Sequence, residues 1–122
     1  MLSLPLPVRI FLCTQPADMR RSFDGLAQMV REFLGADPLS GHLFVFRSKR
    51  GDRLKLLYWD SDGLAIWYKR LEDGTFRFPA PPAVGQGIEI RAADLAMLLD
   101  GVDLDSVKRR KRYRKPTPAA SQ

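Results

Sequence analysis

Apolar and polar positions alternate from Val8 to Cys13, with Val8, Ile10 and Leu12 on one side and Arg9, Phe11 and Cys13 on the other. A period of two predicts a strand, entered past Pro5 and Pro7. Thr14 to Asp18 contains Pro16 and reads as a loop. The period then lengthens. Phe23, Leu26, Ala27, Val30, Phe33 and Leu34 recur at helical spacing and predict a long helix with one apolar stripe. Asp18 or Ser22 can cap its start, and Gly35 can close it. Gly25 inside it costs about 1 kcal/mol against alanine, and is expected to permit close approach to a sheet.

A series of hairpins follows. His42 to Arg47 is nearly all apolar, the pattern of a central strand. Ser48–Asp52 is a turn with Gly51 available for positive φ, and Arg53–Trp59 alternates again. Asp60–Gly63 turns the chain into a strand over Leu64–Leu71, and Asp73-Gly74 signals a tight return through Thr75–Phe78. The pattern predicts an α+β fold: an antiparallel β-meander of four to six strands packed against the long helix. Pro79, Pro81 and Pro82 end the meander. Ile88–Arg91 predicts a short further strand and Ala92–Leu99 a short C-terminal helix. Beyond Val107 no hydrophobic pattern remains. The expected organisation is one domain over residues 1–105 and a disordered basic tail over 106–122.

Charge sharpens that division. Of the 122 residues, 20 are Lys or Arg and 14 are Asp or Glu. Residues 108–122 hold seven basic residues and no acidic one, so the preceding part is close to neutral. The high isoelectric point therefore describes an appendage and not the folded body. Cys13 is the sole cysteine, which excludes an internal disulfide and fits a reducing, cytoplasmic setting. No apolar run approaches the roughly 20 residues of a membrane span, and the opening segment lacks a basic leader region. Neither a membrane association nor export is expected.

The tail, Lys108, Arg109, Arg110, Lys111, Arg112, Tyr113, Arg114 and Lys115, is the clearest chemical signal. Clustered cations neutralise phosphates and release counterions, and Tyr113 can stack on an unpaired base. The competing reading is a solvated tail that aids solubility. Arg47, Lys49, Arg50 and Arg53 surround one hairpin turn opposed by Asp52, and Arg20 and Arg21 stand at the first turn of the helix. A basic hairpin tip can track a nucleic-acid backbone, and edge charges equally serve to block aggregation. Lys69 and Arg70 read as solubility charges.

Catalytic readings are weaker. Asp60 and Asp62 belong to a turn in which Asp is favoured for local hydrogen bonding. Asp18 and Asp24 lie near the helix start. A metal-dependent nuclease would need such carboxylates to converge. Cys13 and His42 could form a nucleophile pair, but a buried thiol and a turn-flanking histidine are the commoner roles. One His and one Cys leave too few ligands for a typical zinc site. No catalytic residue, metal or cofactor is expected. The aromatics Tyr58, Trp59, Trp67 and Tyr68 are expected mostly in the core, with any on the solvent side forming a binding patch. Asp100, Asp103 and Asp105 could hold the tail by charge pairing.

Several segments together resemble one family: Asp18-Met19-Arg20, Phe23-Asp24-Gly25-Leu26, Ser40-Gly41-His42-Leu43-Phe44-Val45-Phe46, Arg50-Gly51-Asp52 and Lys69-Arg70-Leu71-Glu72. Their order and spacing are similar to the TnpB accessory proteins of the IS66 insertion-sequence family, from about Pro5 to Leu104. These share only a label with the RNA-guided nuclease of that name. The resemblance implies a non-catalytic bacterial accessory of transposition, encoded beside a separate transposase that carries the strand-transfer carboxylates. The expected partners are DNA and that transposase. The alternatives are a protein-interaction module without DNA contact and a cryptic nuclease using Asp18, Asp24, Asp60 or Asp62. No roles for individual residues, and no oligomeric state, follow from the resemblance.

Overall fold

The computed structural model describes residues 8–80, 87–103 and 108–109. Its elements are β1 (Ile10–Ala17), α1 (Phe23–Leu34), β2 (Leu43–Ser48), β3 (Arg53–Asp60), β4 (Gly63–Arg70), β5 (Gly87–Ile90), α2 (Ala92–Leu99), β6 (Val102–Asp103) and β7 (Lys108–Arg109). The first five strands form one sheet in the order β4-β3-β2-β1-β5. The class is α+β, as the periodicities predict, but the sheet is mixed and not a meander throughout. β2, β3 and β4 are consecutive antiparallel neighbours. β1 instead pairs parallel with β2 and antiparallel with β5. The chain segment containing α1 is thus the crossover that parallel pairing requires.

The strand composition explains the order. Leu43, Phe44, Val45 and Phe46 are all buried, so β2 is central and covered on both faces. β1 shares this property. Ile10 and Leu12 face one cluster with Val45, Leu56, Phe76, Leu95 and Leu98, while Cys13 faces a second with Phe44, Phe46, Leu57 and the buried side of α1. Two apolar rows on one strand mean two covered faces, and hence an interior position. β1 also extends through the segment expected as a loop. Its register with β2 shifts between Cys13 and Ala17, an irregularity that accommodates Pro16.

Four further expectations are corrected. α1 has 12 residues and is an ordinary helix rather than a long one; Gly35, in the left-handed conformation at φ 59°, ends it. Gly25 does not bring the helix to the sheet: a Cβ there would meet the Arg21 side chain 3.0 Å away. Close approach occurs at Gly87 of β5, where a Cβ would lie 2.6 Å from Leu34 Cδ2. Thr75–Phe78 is not a strand. The segment crosses the second face of the sheet, inserts Phe76 fully into the core, and donates the Phe76 N–H to the Gly51 carbonyl at 2.8 Å. Finally, Lys108–Arg109, expected in a disordered tail, pair antiparallel with Val102–Asp103. Asp103 lies opposite Lys108 in that ladder. Tail residues 110–122 and Asp105 fall outside the described residues.

Phe76 anchors a segment that has no ladder of its own, so packing must hold it. Phe76→Ala is expected to lower the unfolding free energy by about 3–5 kcal/mol, read by chemical denaturation. A loss below about 1 kcal/mol would show that the 75–78 segment is not fixed by its core contact.

Candidate nucleic-acid interface

β1 and β2 run parallel, so both end on the same side of the sheet. A cleft of about 760 Å3 opens there, walled by Gln15–Arg20 at the end of β1 and the loop beyond it and by Ser48–Arg53 at the β2–β3 turn. Crevices beyond the carboxyl ends of parallel strands are recurrent ligand sites in α/β sheets. Arg20, Lys49, Arg50 and Arg53 line this one, opposed by Asp18 and Asp52. Parallel pairing thus brings cations from two segments distant in sequence to one side of the sheet.

The β2–β3 wall is built from its own hydrogen bonds. The buried Ser48 Oγ accepts the N–H groups of Gly51 (3.2 Å) and Arg53 (3.1 Å) and donates to Asp52 Oδ1 (3.3 Å). Gly51 takes φ 83°, which an L side chain rarely adopts, and Thr75 packs beneath it. Leu71 N–H and Phe76 N–H donate to the Asp52 and Gly51 carbonyls, both at 2.8 Å. The turn is thus braced from behind, and it carries Lys49 and Arg50 exposed at its tip. Arg50 also borders a smaller hollow, about 230 Å3, that contains Asp52, Glu72 and Asp73.

The facing wall depends on Lys55. Its side chain is buried, 7% exposed, and its Nζ donates to the Met19 and Arg21 carbonyls, both at 2.8 Å. The same Nζ stands 4.6 Å from the centre of the Tyr68 ring. A buried ammonium is tolerable only when its protons find acceptors; here they fix the loop between β1 and α1. On that loop Asp18 accepts the backbone N–H of Arg20 and pairs with its guanidinium, at 2.7 Å to Nη2. The hydrogen bonds from Arg20 hold the Asp18 carboxyl down to about pH 2. Arg20 is accordingly paired within the cleft.

The remaining sequence-predicted residues separate by position. Arg47 projects to the second face, where it donates to the Phe76 carbonyl at 3.0 Å and lies 4.2 Å over the Phe78 ring. Burial, with the nearby Arg77 adding, pushes its pKa down. Its role is to hold the 76–78 segment. Arg21 donates to the Gly25 carbonyl at 3.2 Å while its own carbonyl serves Lys55. Arg53 remains on the rim, half-buried, with Nη1 3.5 Å from the Tyr68 hydroxyl. Of the tail, only the backbone of Lys108 and Arg109 is described. Arg110, Lys111, Arg112, Tyr113, Arg114 and Lys115 lie outside the described residues. Lys55 and Tyr68 were missed as a unit; a lysine inside the apolar run Leu54-Lys55-Leu56-Leu57 was the available signal.

Neither the Cys13–His42 pair nor a grouping of Asp18 with Asp60 and Asp62 assembles. Cys13 is opposite Phe46, four residues beyond His42, or about 13 Å along the strand. His42 Nδ1 accepts the Arg9 N–H at 3.0 Å, and burial raises the Cys13 pKa. Asp18 borders the cleft, as Arg53 does at the start of β3, whereas Asp60 and Asp62 lie at the far end of β3, about 23 Å away. Among the described residues, no three His, Cys, Asp or Glu side chains group as metal ligands. No helix among the described residues is long and apolar enough to cross a membrane.

The family described as IS66 Orf2 like protein matches residues 8–109. The chain belongs to this family. Relatives of the IS66 Orf2-like chain include the uncharacterized protein y4jC of Sinorhizobium fredii, 42% identical over 113 residues, covering 93% of this chain and 94% of that protein. The uncharacterized protein y4hO of the same organism is 44% identical over 96 residues, covering 79% and 82%. No solved structure gives a significant match. The matched region spans the whole five-stranded sheet and both helices, and thus both walls of the cleft. Family membership makes the chain an insertion-sequence-associated accessory protein.

Two outcomes test the walls. The Asp18 carboxyl, followed by NMR, is expected to titrate near pH 2 instead of the ordinary value near 3.9. The contribution of the Asp18–Arg20 pair is therefore fully present above about pH 4 and lost as pH falls through about 2. A midpoint near 4 would show the pair absent in solution. Lys55→Met keeps an apolar stem but leaves two carbonyls without their donor. It is expected to cost about 1.5–3 kcal/mol and to speed amide exchange across residues 18–22.

Proposed function

We propose that this IS66 Orf2-like protein assists transposition without catalysing it, by holding DNA phosphates along the basic rim of the cleft. The observation that carries this reading is the convergence of Lys49, Arg50 and Arg53 on one braced turn, facing Arg20 across the cleft. A turn that loses little freedom on binding presents its cations at low entropic cost. Phosphate contacts of this kind position a protein on DNA without reading sequence. The tail residues Lys108–Lys115 add a second, sequence-independent arm, and the transposase of the same element is the protein partner. Asp18 lowers the net charge of the rim and keeps Arg20 occupied until a phosphate competes for it.

The test is a salt titration of DNA affinity with the full-length chain. Lys49, Arg50 and Arg53 changed together to Gln are expected to reduce the log–log salt slope by about 3, on all sequences alike. Changing Arg110, Lys111, Arg112, Arg114 and Lys115 to Gln is expected to reduce it by about 4–5. Unchanged slopes in the first variant remove the rim from the DNA contact. Absence of DNA binding by the unaltered protein in dilute buffer would sink the reading and favour a pure protein-interaction module.

A further inference from the structure

One line of side chains crosses the α1 face of the sheet through the ladder: Cys13 opposite Phe46, Phe46 opposite Lys55, and Lys55 opposite Tyr68. The first three are buried, whereas Tyr68, on the outer strand β4, is 48% exposed. Along β4 the same face carries Leu64 and Ile66, which pack into the α1-side cluster. Tyr68 is the next residue in that row, and it stays outside the cluster. The apolar surface therefore ends in an aromatic ring that no core covers.

That ring is held in place. Lys55 Nζ stands over it at 4.6 Å, and Nη1 of the cleft-lining Arg53 is 3.5 Å from its hydroxyl. Both contacts join it to the cleft, because Lys55 also binds the Met19 carbonyl of the opposite wall. An exposed aromatic fixed beside a row of cations has the chemistry of a stacking platform on a phosphate track. Cation and ring together suit one occupant: a nucleic-acid strand whose bases are free to leave the chain's own stack. In a duplex both base faces are already occupied, and a side chain that enters must unstack a step. Tyr68 lies on the broad face of a sheet strand, and so it is not a wedge.

We propose that the DNA form held at this rim is single-stranded, with an unpaired base stacked on Tyr68 while Lys49, Arg50 and Arg53 take the adjacent phosphates. The proposal rests on the DNA reading above and adds the strand form and the aromatic contact. Tyr68 supplies affinity without base identity, since every base offers a π face. Lys55 acts as a positioning residue, orienting the ring and the loop while its Nζ remains turned inward.

The experiment measures the affinity of the full-length protein for a thymidine oligonucleotide, for a base-free deoxyribose-phosphate strand of equal length, and for duplex DNA. Thymidine is expected to bind about 5- to 150-fold tighter than the base-free strand, the range of one stacked base. In protein carrying Tyr113→Ala, which removes the tail's own stacking ring, Tyr68→Ala is expected to bring that ratio to unity and to lower duplex affinity far less than thymidine affinity, and Tyr68→Phe to preserve the ratio. The comparison on unaltered protein needs no variant to fold. Equal affinity for thymidine and base-free strands, or an equal loss on single and double strands in Tyr68→Ala, would overturn the stacking proposal while the rim reading stands. No binding to any of the three would overturn both.

Discussion

The ammonium of Lys55 is the contact on which the working end of this molecule depends. It leaves water to sit beneath the chain, and such a transfer is costly unless the charge is met by hydrogen bonds. Two carbonyls of the β1–α1 loop meet it, each at 2.8 Å, and an aromatic face completes its surroundings. One atom thereby couples three elements: β3, which carries the lysine; the loop that forms a cleft wall; and β4, which carries Tyr68. The path of the chain from β1 into α1 follows from where that charge can be satisfied.

Topology does the rest. Parallel pairing of β1 with β2 brings the ends of two strands to one side, and the loops that leave them are forced to face each other. An antiparallel pair would have sent them to opposite ends. The two clusters that sandwich the sheet make this arrangement stable, because β1 and β2 are both apolar on two faces and must both be interior. The segment from Leu71 to Phe78 performs the complementary task behind the β2–β3 turn, anchored by Phe76 and by Arg47 on Phe78. The family match over residues 8–109 contains every described residue of both walls, as it does the rest of the fold.

Much of this was legible in the residues. Both helices and the strands β2, β3, β4 and β5 lie where periodicity puts them, within a residue or so at their ends, and the all-apolar run Leu43–Phe46 announced a central strand. The order of the sheet was not legible as a meander. The alternation of Val8, Ile10 and Leu12 with Arg9, Phe11 and Cys13 did not show that both sides of the strand are covered, although Phe11 and Cys13 are apolar and pack into the α1-side cluster. Thr75–Phe78 misled because local alternation cannot distinguish a paired strand from an extended segment held by one buried ring. At the candidate site, the basic turn and the Arg20–Arg21 pair were visible as charge. Which of those cations stay on the rim was not, because the diversion of Arg47 to Phe76 and Phe78 and the pairing of Arg20 with Asp18 are tertiary facts. Lys55 and Tyr68 acquire meaning only once their cross-strand register is known.

The interior place of β1 also sets the order in which the protein can assemble. Ile10 leaves the ribosome early, yet its neighbours in the sheet are Leu43 and, much later, Ile90. Contacts so distant in sequence close slowly, since loop entropy must be overcome before they form. The hairpins of β2, β3 and β4 are local and can form first, and they offer the edge of β2 as a template. Until β1 docks on that template and β5 arrives to cap it, a strand apolar on both faces has unpaired backbone groups exposed. Nascent chains are therefore most vulnerable to aggregation between the completion of β4 and the synthesis of β5.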